Sequence, residues 1–162
     1  MIVLGIDPGI ETCGYGVIEG TGNQVKALSY GVVTTTSDQP TGERLRLLYE
    51  ALSRTIAEYG PARIGVERLY FSRNVGSAIA VGQARGVALL AAAQHQVPVV
   101  EYTPPEVKQA VSGYGSASKE QVLRMVRAIL ALGAARMRDD AADALAIALC
   151  SYFRADWEEK AL

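Results

Sequence analysis

The chain has 162 residues, 49% of them hydrophobic, a formal net charge of −1 and a pI near 5.9. That size suits one domain with a substantial core and argues against a second, and the near-neutral charge argues against a protein whose only task is to coat nucleic acid. Cys13 and Cys150 each sit in an apolar stretch and read as buried thiols of a reduced, cytoplasmic protein, while no segment reads as a signal peptide or reaches the roughly 20 apolar residues of a membrane span.

Residues 1–7 and 12–19 are strand-like and are separated by "DPGIET", whose Pro8 and Gly9 make a hairpin turn. Residues 24–36 alternate and are rich in β-branched side chains, giving a third strand. Leu45, Leu48, Leu52 and Ile56 recur at helical spacing from Glu43 to Tyr59, and Gly60-Pro61 stops that helix. The strand "RIGVE" follows, then a helix from Val75 to Gln94, the buried strand "VPVVEY", and a short helix from Pro104 to Val111. Ser118 caps a helix beginning at Lys119, and a last helix runs from Asp139 to Phe153. The order βββαβαβααα predicts one mixed five-stranded sheet, its first three strands antiparallel, flanked by helices. The expected unit is a single domain over 1–154 with a frayed tail over 155–162.

Four acids stand where α/β proteins build sites. Asp7 closes the first strand, Glu67 closes the fourth, and Asp140 and Asp143 lie about one turn apart on the last helix. Asp139 and Asp140 could simply favour the positive end of the helix dipole, and Asp7 could simply shape the turn before Pro8. Asp143 resists that reading, because its neighbours on the helix are almost all apolar and a buried carboxylate needs a partner. No Lys or Arg lies within four residues of Asp7 or Asp143. Hard divalent cations held by oxygen ligands would supply the charge, and two Mg²⁺ ions about 4 Å apart can drive phosphodiester hydrolysis without histidine or cysteine. The one histidine, His95, reads as an ordinary surface or half-buried residue.

The opening "GIDPG", the acid in "GVER" and the helix "DDAADALA" resemble the RNase H-like superfamily. Four longer segments, "GIDPGIETCGYGVIE", "ERLYFSRNVGSAIAVGQARGVALLAA", "EYTPPEVKQAVSGYGSASKEQV" and "DDAADALAIAL", resemble the RuvC family of bacterial Holliday-junction endonucleases in family order from residue 4 to about 150. The resemblance implies an RNase H-like fold and a homodimer that cuts two opposed strands of a four-way DNA junction with Mg²⁺ or Mn²⁺. It implies Asp7, Glu67, Asp140 and Asp143 as catalytic metal ligands, favouring Asp140 over the adjacent Asp139. It further implies Tyr70, with Phe71 beside it as the alternative, as a junction-contacting aromatic, Arg73, Lys108 and Lys119 as DNA contacts, and the RuvA and RuvB branch-migration complex as partner. Setting the four acids aside as metal ligands changes the net charge from −1 to +3. Gly82 and Gly86 share a helix face with Val75, Ile79, Leu89 and Leu90, which serves either the core or a dimer interface.

Three other functions fit parts of the pattern. An ATPase of the actin and sugar-kinase type shares the opening hairpin but needs a second lobe that this length cannot hold. A catalytically inactive junction-binding module would be favoured by loss of an acid, yet all four are present. A hydrolase of RNA–DNA hybrids shares fold and metals but not the lysines and aromatic loop.

Overall fold

The computed structural model describes the backbone of residues 1–68, 75–134 and 136–160, with side chains up to residue 155. Strands β1 (Ile2–Asp7), β2 (Thr12–Thr21) and β3 (Gln24–Thr34) form an antiparallel ribbon. They are followed by α1 (Thr41–Tyr59), β4 (Arg63–Glu67), α2 (Val75–Gln94), β5 (Val99–Tyr102), α3 (Pro104–Ser112), α4 (Lys119–Ile129) and α5 (Asp139–Lys160). The sheet order is β3-β2-β1-β4-β5, with β4 parallel to both β1 and β5. This is the mixed five-stranded sheet that the element order predicts.

Local chemistry sets the boundaries. Gly60 adopts φ 55° and returns its N–H to the Ile56 carbonyl, ending α1. Thr103 with Glu106 and Ser118 with Gln121 form capping boxes that start α3 and α4. β5 begins two residues later than the apolar run because Pro98 has no N–H to give a ladder, although its carbonyl accepts from Ile64. α5 continues past Phe153 to Lys160, because "RADWEEKAL" contains neither Gly nor Pro to stop it.

Strand alternation divides the interior into two cores. Leu4, Ile6 and Val17 pack with Leu48, Leu52 and Ile56 of α1 and the alanines of α2, while Val3 and Ile18 pack with α3, α4 and α5 on the other face. Fully burying each such Leu or Ile stabilises the fold by about 1.5–3 kcal/mol. α2 is, by length and composition, a 20-residue helix apolar enough to cross a membrane, contrary to the expectation that no such stretch exists. Its Ala84, Ala88, Ala91 and Ala92 are instead buried against the α1 side of the sheet.

The α5 face is paved with glycine. A Cβ on Gly5 would lie 2.0 Å from the Ala144 carbonyl oxygen, one on Gly14 would lie 2.0 Å from that of Asp140, and one on Gly16 would meet Leu145 at 2.8 Å. α5 therefore sits closer to the sheet than any side chain would allow. Gly14→Ala should force the start of α5 off the sheet and cost more than about 2 kcal/mol in urea unfolding. Gly42→Ala, which meets nothing within 4 Å in the first turn of α1, should raise stability by up to about 1 kcal/mol. Equal effects from the two would show that the close seating of α5 carries no energetic weight.

Candidate active site

The site follows from three spacings. Gly5 and Gly65 are register partners in the parallel β1–β4 pair, and both face α5. Two residues on, alternation turns Asp7 and Glu67 toward the same face at the carboxyl ends of adjacent strands. On α5, Ala144 lies over Gly5 and Ile147 over Gly65, so one turn earlier Asp140 and Asp143 come over the strand ends. Asp7 pairs in register with Gly14, and Gly14 touches the backbone of Asp140.

The electrostatics record this convergence. Burial pushes the Asp7 carboxyl up to about 7, with further upward contributions from Asp143, Glu67 and Asp140, while among the described residues Lys119 acts in the opposite direction. Burial also raises Glu67, reinforced by Asp143 and opposed by Lys108 and Lys119. Asp143 is raised by burial despite its contact with Lys119, whose Nζ lies 3.1 Å from Asp143 Oδ2 and 3.7 Å from Asp139 Oδ2. Burial lowers the Lys119 ammonium, but its hydrogen bond to Asp143 and the charges of Asp143, Asp139 and Asp140 outweigh that and leave it raised. The partner that Asp143 lacks in its own neighbourhood thus arrives from the first turn of α4.

Asp140 rather than Asp139 acts on Asp7; Asp139 stands with 75% of its side chain exposed and acts on Lys119 and Asp143. Half-buried Lys108 joins Lys119, Glu67 and Asp143 on the rim of a cavity of about 220 Å³, floored by Pro104, Val107, Val122, Ala146 and Ile147. Tyr70, Phe71 and Arg73 lie outside the described residues. His95 stands elsewhere, its Nε2 2.7 Å from Ser53 Oγ, and Cys13 and Cys150 are free and buried.

The donor set is hard oxygen throughout, which suits divalent cations such as Mg²⁺ or Mn²⁺ and not a thiophilic metal. Among the described residues, no three His, Cys, Asp or Glu side chains are yet closed up enough to hold an ion. Mutual repulsion and the Lys119 contact on Asp143 both act against such closure. The glycine paving was not singled out from the sequence, where glycine in a strand reads as weakness; the alternate Gly14 and Gly16 of "CGYGV" are its one local trace.

A family model for "Crossover junction endodeoxyribonuclease RuvC" matches residues 3–151. The RuvC of Natranaerobius thermophilus is 50% identical over 150 residues, covering 93% of each chain, and that of Desulfitobacterium hafniense is 53% identical over 150 residues, covering 93% of this chain and 91% of the other. The structure superposes on Thermus thermophilus RuvC in complex with Holliday junction substrate with a TM-score of 0.93 at 40% identity, covering 98% of this chain and 96% of that one. The fowlpox virus resolvase, at 18% identity and a TM-score of 0.57, shares the fold. The sheet order, the strand-end acids and the acidic final helix define an RNase H-like nuclease. More particularly, the chain belongs to the RuvC family of crossover junction endodeoxyribonucleases, the Holliday-junction resolvases of recombination and repair.

The raised pKa of Asp7 fixes a pH dependence. The folded state holds this proton more tightly than the unfolded chain, so the associated stability is complete below the ordinary value of 3.8 and is lost as pH rises toward about 7. In EDTA, Asp7→Asn should match wild type near pH 4 and exceed it at pH 8 by on the order of 2 kcal/mol in urea unfolding. A difference independent of pH would contradict the burial of an ionisable Asp7.

Proposed function

We propose that the chain acts as a homodimer that makes paired, symmetric nicks in opposed strands of a four-way DNA junction, using Asp7, Glu67, Asp140 and Asp143 as the metal-ligating catalytic set. The observation that carries this reading is the half-buried Asp7 carboxyl, loaded by three further carboxylates and opposed, among the described residues, by Lys119. Two Mg²⁺ ions, with Mn²⁺ able to substitute, would be held by these four acids and supply the charge that activates water and stabilises the departing oxygen.

The protein's own groups account for the rest. Asp7 and Glu67, carried on adjacent strands, and Asp140 and Asp143, carried on a helix seated directly on the sheet, would hold the cations in place beside the reacting phosphate. Lys119 and Lys108 would take phosphate oxygens, and Asp143, which contacts Lys119 here, would be one of the cation's ligands. Water adds to phosphorus, the bond to the 3′ oxygen breaks, and that oxygen leaves protonated, giving 5′-phosphate and 3′-hydroxyl ends. Arg73 and the aromatic pair Tyr70 and Phe71 follow directly on Glu67 in sequence and would meet the junction beside the cut, an aromatic face stacking on a splayed base. The nuclease unit is assigned to residues 1–154, working in the cytoplasm on chromosomal junctions, with the RuvA and RuvB branch-migration complex as its partner.

The dimer reading is supported by α2. Val75, Ile79 and Leu90 are exposed large apolar residues, and Gly82 and Gly86, which continue the same stripe, face open space in the single chain. Two-fold symmetric cutting calls for two such sites related by a two-fold axis. Sedimentation of wild type should give twice the chain mass of 17.3 kDa, and Ile79→Glu should give the single-chain mass without unfolding. A wild type that sediments as one chain at micromolar concentration refutes the dimer.

Catalysis is tested with labelled four-way junction, matched duplex and RNA–DNA hybrid in Mg²⁺, Mn²⁺ or EDTA. Paired nicks should appear on the junction alone and only with metal, and Asp7→Asn should lower the rate more than about 100-fold while junction binding persists. Cutting that survives EDTA, or an active Asp7→Asn protein, would remove the acids from the mechanism. Preference for hybrid would remove the substrate assignment.

A further inference from the structure

Arg44 stands in the first turn of α1 with only 9% of its surface exposed, between Glu43 and the exposed Arg46. Its Nε donates to Thr35 Oγ1 at 2.8 Å, and Thr35 Oγ1 donates to the Ile10 carbonyl at 2.6 Å. The Thr35 amide donates to the Glu11 carbonyl at 3.0 Å. Thr35 thus grips two successive carbonyls of the four-residue turn between Asp7 and β2. A guanidinium has no acceptor, so when Arg44 occupies the Thr35 lone pair the single hydroxyl proton must point at Ile10. The turn is otherwise tight, since a Cβ on Gly9 would lie 2.3 Å from the Thr12 carbonyl oxygen.

Retaining this arginine is costly. Its Nη2 is buried without an acceptor, and the carboxylate whose charge it meets, Asp38, is fully exposed. An apolar residue would serve the core better at this position. The bond to Thr35 comes from Nε, where lysine carries a methylene, so lysine cannot donate from that position.

We propose that Arg44 and Thr35 are positioning residues for Asp7, forming a buried strut from α1 that sets the turn following the strand-end carboxylate and thereby its readiness to hold a divalent cation. This rests on the assignment of Asp7 as a metal ligand. Among the described residues the strut's hydrogen bonds run to the turn and not to Glu67, Asp140 or Asp143, so its loss is expected to act on cation binding and on the rate at saturating DNA more than on DNA affinity.

The test uses the full-length protein with Thr35→Val, Thr35→Ser, Arg44→Lys and Asp7→Asn. Mg²⁺ binding is followed by calorimetry without DNA, single-turnover cutting is measured at saturating enzyme, and junction Kd is measured in Ca²⁺. Thr35→Val should weaken Mg²⁺ binding and slow cutting by about tenfold each, with junction Kd within about twofold of wild type. Thr35→Ser, which keeps the hydroxyl, should restore both, and Arg44→Lys should resemble Thr35→Val. The strut is refuted if Thr35→Val and Arg44→Lys lower only the melting temperature, or if Thr35→Ser behaves like Thr35→Val. Should Thr35→Val not fold, Arg44→Lys against wild type decides alone. Asp7→Asn separates the two assignments: normal cutting by it overturns the role of Asp7 and the strut with it, whereas an inactive Asp7→Asn beside a normal Thr35→Val overturns the strut only.

Discussion

The arrangement depends on how closely α5 approaches the sheet. Packed sheets and helices normally stand apart by the thickness of two layers of side chains. Here Gly5, Gly14, Gly16 and Gly65 remove one of those layers, and Ala144 and Ala148 thin the other. The carboxylates at the ends of β1 and β4 therefore meet those of the first turns of α5 at short range. The glycine surface forgoes apolar burial on that face, and the deficit is offset around it, where Val107, Val122, Val126, Leu145 and Leu149 fill the space between α3, α4 and α5. Tyr152 then fastens the helix further along, its ring over Gly20 and its hydroxyl donating to the Gly22 carbonyl at 2.8 Å.

Bringing acids together by packing sets the interior against its own charges. Dispersion and burial hold α5 down, while Asp7, Glu67, Asp140 and Asp143 repel one another across the same contact. Lys119 relieves part of this from the capped start of α4, and Lys108 acts on Glu67 from α3. Both lysines are carried by short helices whose capping boxes fix their first turns, so the compensating charges are placed as firmly as the acids. Gathering carboxylates in this way costs stability, a cost typical of functional centres.

Much of this was legible in the sequence. Every strand and helix follows from periodicity and punctuation: "RIGVE" is β4 residue for residue, and Gly60-Pro61, Pro104 and Ser118 mark helix ends because their backbone chemistry leaves little choice. The four acids stood out because a charge at a strand end or on an apolar helix is costly without a purpose. Three features were not legible. The Lys119 contact with Asp143 joins two helices that meet only through the tertiary fold. The burial of Arg44 is hidden in a charged first turn, where Glu43 and Arg46 really are exposed and form an ordinary surface pair. The glycine trough requires knowing that alternate residues of three strands lie under one helix.

The second layer of the molecule bears on the first through one ion-pair cluster. α2 is apolar nearly all round, with alanines inward and Val75, Ile79 and Leu90 outward, so its outer stripe is a standing free-energy cost for an isolated chain. The helix is also tied to the site. Arg85 on α2 and Arg68, the residue after Glu67, both contact the Glu101 carboxylate on β5, the Arg68 contact at 3.9 Å. Arg68 further donates its amide to the Tyr102 carbonyl at 2.7 Å. Arg85 and Glu101 therefore connect α2 to the end of the strand that carries Glu67. The apolar outer stripe of α2 and the strand end that carries Glu67 are thus joined within one chain by the Arg85–Glu101–Arg68 cluster, which lies one residue from the carboxylate.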